Sequence, residues 1–76
     1  MRGEGREVLF KLALGESDST NIVTKVIIST EDGLFNTTVD ISEPIKLLMR
    51  GKEEIKYYGK LFEDDNFEIY PGKSIN

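Results

Sequence analysis

Apolar and polar residues alternate from Arg6 to Leu14. Val8, Phe10, Leu12 and Leu14 fall on one side, and Glu7, Leu9, Lys11 and Ala13 on the other. A period of two predicts a strand with an apolar inner face. The stretch from Gly15 to Asn21 is entirely polar or glycine and reads as a loop. From Ile22 to Thr30 the chain is dense in β-branched residues, which favour strands. Ile22, Val26 and Ile28 share one face of that run, and Val23 and Ile27 make the other face partly apolar as well. Glu31, Asp32 and Gly33 predict a hairpin turn, because Asp-Gly reaches positive φ at little cost. The returning strand is Leu34 to Ile41, with Phe35, Val39 and Ile41 inward and Asn36, Thr38 and Asp40 outward.

The period then changes. Ile45, Leu48 and Met49 are spaced i, i+3, i+4, which predicts a short helix between Ser42 and Gly51, with Leu47 off to one side. Ser42, or Asp40 if the helix starts earlier, is the candidate N-cap, and Pro44 is tolerated in a first turn. Glu43 and Arg50 suit the two ends of the helix dipole, and Gly51 is the candidate C-cap. Ile55 to Phe62 reads as a strand, since it is rich in aromatic and β-branched residues and Gly59 weakens the helical alternative for 52–62. Glu63, Asp64, Asp65 and Asn66 form a turn. A final short strand runs from Phe67 to Tyr70, closed by Pro71 and Gly72, with a loose tail from Lys73. Phe10, Phe35, Phe62 and Phe67 are expected in the core, since a small sheet without tryptophan packs with its phenylalanines.

The predicted order is β-β-β-α-β-β, an α+β domain. Its antiparallel sheet carries one short helix, or curls into a small, partly open barrel with bends at Gly51 and Gly59. A chain of 76 residues makes a single domain, 1–76, with its ordered core between about residues 6 and 72. So short a chain buries only about 60% of the surface its unfolded form exposes. Leu9, Ala13, Val23 and Ile27 add apolar area that one short helix cannot cover. Closure of the sheet or a second subunit is expected to cover it, and a homodimer is one expectation.

Composition narrows the chemistry. Cysteine and histidine are both absent, so disulfides, zinc–thiolate sites and histidine-based catalytic sites are ruled out. Paired carboxylates would need a cleft that shifts one of them, which a domain this small has little room to form. The expectation is a non-enzymatic protein without a cofactor. The net charge of −4 argues against nucleic acid as a principal partner, yet residues 44–60 sum to +3. Arg50, Gly51 and Lys52 lack the glycine-rich loop of a phosphate site and read as a helix stop. No apolar run approaches the roughly 20 residues of a membrane span, and no signal peptide is recognisable, so a cytoplasmic location is expected.

Three candidate surfaces remain. The acidic turn Glu63, Asp64, Asp65 and Asn66 offers oxygen ligands for Ca²⁺ or Mg²⁺, without the spacing of a calcium loop. Lys56, Tyr58 and Lys60 share a strand face and make a thin basic strip with an aromatic between, the general form of a single-strand nucleic-acid surface. Leu9, Val23 and Ile27 mark the apolar sheet face, which with an unpaired strand edge suits a protein partner or self-association. Asn36-Thr37-Thr38 fits the N-glycosylation pattern, which has meaning only in a secreted protein. The leading expectation is a small protein-interaction module. The alternatives are a weak divalent-cation binder and, below it, a nucleic-acid binder.

Overall fold

A computed structural model describes residues 4–15 and 24–75. The elements run β1 (Gly5–Leu14), β2 (Lys25–Thr30), β3 (Asn36–Asp40), α1 (Glu43–Met49), β4 (Glu54–Phe62) and β5 (Phe67–Ile75). The predicted order and class hold: one antiparallel sheet plus one helix. The strands lie in the order β3-β2-β1-β4-β5, with β1 central. Three hairpin-ordered strands followed by a fourth that returns beside the first is the Greek-key arrangement. The return passes through α1, which carries the chain from the β3 edge to the far side of β1.

One face of the sheet is the core. Val8, Phe10 and Leu12 of β1, Val26 and Ile28 of β2, and Ile55, Tyr57 and Leu61 of β4 are all buried. Register explains why these residues meet. Phe10 sits opposite Thr30 on one side and Tyr57 on the other, and Leu12 sits between Ile28 and Ile55. The period-two inner face of β1 therefore becomes the centre of the core.

The sheet is strongly coiled. Flat edges four strand spacings apart would be separated by roughly 19 Å. Instead Phe35, just before β3, and Phe67, at the start of β5, have ring centroids 5.6 Å apart. Phe10 lies 6.3 Å from the first ring and 5.5 Å from the second. The three rings draw the sheet edges together at one end, giving a partly open barrel.

Gly59 makes this coiling possible. A Cβ there would stand 2.2 Å from the Glu68 carbonyl oxygen and 2.6 Å from Phe10 Cε2. Beside it the β4–β5 pairing shifts register: Gly59 opposes Ile69, while Tyr57 opposes Ser74. The extra residues of β5 form a bulge containing Pro71 and Gly72. This corrects the expectation that β5 stops at Tyr70 and that Lys73 begins a loose tail. Proline lacks an amide proton but is tolerated at an edge-strand bulge, and pairing resumes beyond it.

Other boundaries shift for local reasons. Leu34, expected to open β3, lies in the turn and is exposed. The turn is organised by Asp32: its Oδ1 accepts the Thr30 hydroxyl at 2.6 Å and the Leu34 amide at 3.0 Å. Arg6 Nη1 adds an ion pair at 3.0 Å. Together, with the Thr30 hydroxyl contributing most, these hold the Asp32 carboxyl down at about 2, from 3.8. A lowered folded value means the contribution is complete above the unfolded value and fades as pH falls through the folded one. The turn is therefore expected to loosen between pH 3.8 and about 2. Carboxyl ¹³C shifts in an acid titration would check it; an Asp32 midpoint near 3.8 would refute the turn geometry. High salt should weaken the effect, since the Arg6 pair is half-exposed.

At the helix, Ser42 occupies the N-cap position, but its side chain makes no capping bond. The expected Gly51 cap is anticipated by Arg50, which already adopts the left-handed conformation at φ 55, followed by Gly51 at φ 74. Phe62, expected in the core, lies on the outer face opposite Gly5, because strand alternation places it out of phase with Leu61. Ile22 and Val23 fall outside the described residues.

An apolar groove between the helix and the β5 bulge

The seven-residue helix is too short to stand alone, so packing must hold it. Met49 is buried, and Ile45 and Leu48 pack against the core. The Tyr57 hydroxyl, projecting from β4, donates to the Leu48 carbonyl at 2.6 Å. This satisfies one of the carbonyls that a helix C-terminus leaves unpaired. Tyr57 thus fixes the end of α1 over the sheet.

The consequence is a groove of about 370 Å³ lined by Pro44, Leu47, Leu48, Arg50, Tyr57 and Pro71. The buried Tyr57 backs it, and Pro71 of the β5 bulge lines another side. Leu47 is 76% exposed, whereas Ile45 and Leu48 are half-buried and Met49 is buried. Arg50 closes one side: its guanidinium carbon is 5.9 Å from the Tyr57 ring centroid, and Nη2 points at the Pro71 carbonyl oxygen from 3.5 Å. The left-handed backbone of Arg50 lets the chain turn away from the helix while the cation stays over the ring. A non-glycine residue in that conformation costs about 1 kcal/mol, a cost that glycine at the same position would avoid. No motif spacing reveals this groove, because its walls come from sequence-distant segments. The one visible signal was Leu47, a large apolar residue off the inner face of its helix.

The predicted surfaces are placed as follows. Lys56, Tyr58 and Lys60 do share the outer face of β4, as the alternation requires. Lys56 is engaged, its Nζ 2.8 Å from Glu31. That hydrogen bond and charge, with a further effect of Glu54, raise the lysine above its ordinary value. Lys60 lies in a row with Glu7 and Glu68 as direct cross-strand neighbours. Two more lysines of this face are also paired: Lys11 with Glu54 at 3.5 Å and Lys25 with Asp40 at 2.6 Å. The Lys25 contact holds the Asp40 carboxyl below its usual value.

Leu9 and Ile27 lie on this same outer face, and both are half-buried. Leu9 faces Tyr58, and Ile27 faces Ala13. Leu9 and Ala13 are four residues apart on β1, roughly 13 Å. Lys11 and its neighbours Ser29 and Lys56 lie between them. Leu9 and Ile27 thus belong to separate apolar patches with paired charges between them. Val23 lies outside the described residues.

In the acidic turn, Glu63, Asp64, Asp65 and Asn66 are all exposed. Asp64 is turned back on its own loop: Oδ1 accepts the Asn66 backbone amide at 3.2 Å, and Oδ2 the Asn66 side-chain amide at 2.7 Å. Among the described residues, no three acidic groups converge as metal ligands. No helix among them is long and apolar enough to cross a membrane.

Fold and site together define a small Greek-key α+β domain with an apolar groove at the helix end. Comparison of the chain with protein-family models, curated proteins and solved structures found no match.

Proposed function

We propose that this protein is a non-enzymatic interaction module that docks a segment of a partner protein in the groove between α1 and the β5 bulge. The observation that carries the proposal is the exposure of Leu47 beside Pro44, Leu48, Tyr57 and Pro71, an apolar concavity with a cation at its lip. Such grooves take one or two apolar anchors, with a charged neighbour setting orientation. Arg50 makes the partner segment one that carries acidic residues next to its apolar anchors.

Single-strand nucleic acid is the weaker reading. Some five-stranded Greek-key barrels bind oligonucleotides on the outer face of strands two and three. Here Lys25 on that face is paired with Asp40, and Lys11 and Lys56 beside it are paired with Glu54 and Glu31. Phosphate binding depends on unneutralised cations, so paired lysines offer little.

The test uses synthetic peptides that combine Leu or Phe anchors with Asp and Glu, against the same peptides with Lys in place of the acids. Methyl and amide NMR shifts report where each binds. The acidic set is expected to move Leu47, Leu48, Arg50 and Tyr57 with an affinity on the order of 100 μM, in keeping with a contact at the small end of the range. No shift at millimolar peptide, equal response to the basic set, or shifts confined to the outer sheet face would overturn the proposal.

A further inference from the structure

The two sheet edges differ in a way that the groove does not account for. Edge strands are usually blunted by proline, bulges or inward charges, because their open backbone groups invite pairing. β5 carries such a device in its bulge at Pro71 and Gly72. β3 has neither proline nor a bulge in its pairing with β2.

Ladder parity shows what β3 presents. The Thr30 amide donates to the Phe35 carbonyl, and the Ile41 amide donates to the Thr24 carbonyl. In an antiparallel ladder alternate residues bond to the same neighbour. Residues 35, 37, 39 and 41 therefore face β2. Asn36, Thr38 and Asp40 point their N–H and C=O groups outward, and all three are exposed. No backbone hydrogen bond joins β3 to β5 among the described residues.

We infer that the outer edge of β3 pairs with the same strand of a second copy, antiparallel, about a twofold axis at Thr38. The register makes the strand self-complementary. Thr38 faces the partner's Thr38, and Asn36 faces the partner's Asp40. Thr37 faces the partner's Val39 on the core side. Threonine pairs and amide–carboxylate pairs are favourable cross-strand neighbours, and no like charges stand opposite one another. Asp40 Oδ1 is bonded to Lys25, and Oδ2 is the acceptor for the partner's Asn36 amide. The outward groups of Asn36, Thr38 and Asp40 close about six backbone hydrogen bonds across the seam. The product is a continuous sheet through two copies, an isologous dimer. The groove at the helix end does not take part.

Sedimentation and amide exchange test this together. A contact this small is weak, so the mass should rise from 8.6 kDa toward twice that between about 10 μM and about 1 mM chain. Over the same range, amide exchange at Asn36, Thr38 and Asp40 should slow several-fold. Thr37 and Val39, already bonded to β2, should not respond. Thr38→Lys sets two cations face to face at the axis on an exposed position, and is expected to keep the NMR spectrum of the folded chain and abolish the dimer. A one-chain mass at about 1 mM overturns the inference. So does a dimer that survives Thr38→Lys, or concentration-dependent protection along Phe67–Ile75 instead.

Discussion

Gly59→Ala is expected to destabilise the domain by about 3 kcal/mol or more, the upper end of overpacking effects. The added methyl would meet a backbone oxygen of β5 at 2.2 Å and the edge of the Phe10 ring at 2.6 Å. The ring can move, but the Glu68 carbonyl cannot without breaking the β4–β5 ladder. The double variant with Phe10→Leu separates the two contacts. It removes the ring contact and leaves the carbonyl contact, so it should not restore stability. A domain of this size holds only about 4–11 kcal/mol in total, so the single substitution is a large fraction of it. Urea melts of the two variants would check this. A Gly59→Ala loss below about 1 kcal/mol would show that the strands are not so closely apposed.

Phe10→Ala is expected to cost about 3–5 kcal/mol, the usual range for a buried phenylalanine. Its ring is fully buried and touches both Phe35 and Phe67. The loss should be more than a cavity, because these three rings bring the two sheet edges together. Increased amide exchange at the start of β3 and of β5, ahead of β1 and β4, would be the specific sign of an opened barrel. Uniform loss of protection across all strands would instead mark Phe10 as ordinary filling.

Much of this fold is written locally. The alternation in β1 and β3, the Asp-Gly turn and the i, i+3, i+4 triplet of α1 each act within a few residues. They yield the correct elements in the correct order. The placement of β4 against β1 does not, since it pairs residues about fifty positions apart, such as Val8 with Gly59. The same distance hides why Gly59 is glycine: in sequence it is a weakness in a strand, and in space it is where a ring and a carbonyl approach. Phe62 was misplaced because hydrophobicity alone does not fix phase; one residue's shift puts a side chain on the other face. β5 was cut short because proline normally ends a strand, and only the bulge lets pairing continue.

The groove was the least legible part. Tyr57 and Pro71, which line it, are ordinary strand and bulge residues until the helix is laid beside them. The acidic turn and the lysine strip were conspicuous in sequence because their charges are adjacent. In space Lys56 meets Glu31, and Asp64 is turned onto the Asn66 amides of its own loop.

Arg50→Gly separates docking from folding when stability and peptide affinity are measured on the same variant. Glycine relieves the left-handed backbone while the lost cation–π contact costs about as much. Stability is expected to stay within about 1 kcal/mol of the parent, and binding of the acidic Leu/Phe peptides to weaken about tenfold, the loss of one charged contact. A marked loss of stability with unchanged peptide binding would show instead that Arg50 serves the fold and that the groove is not a docking site.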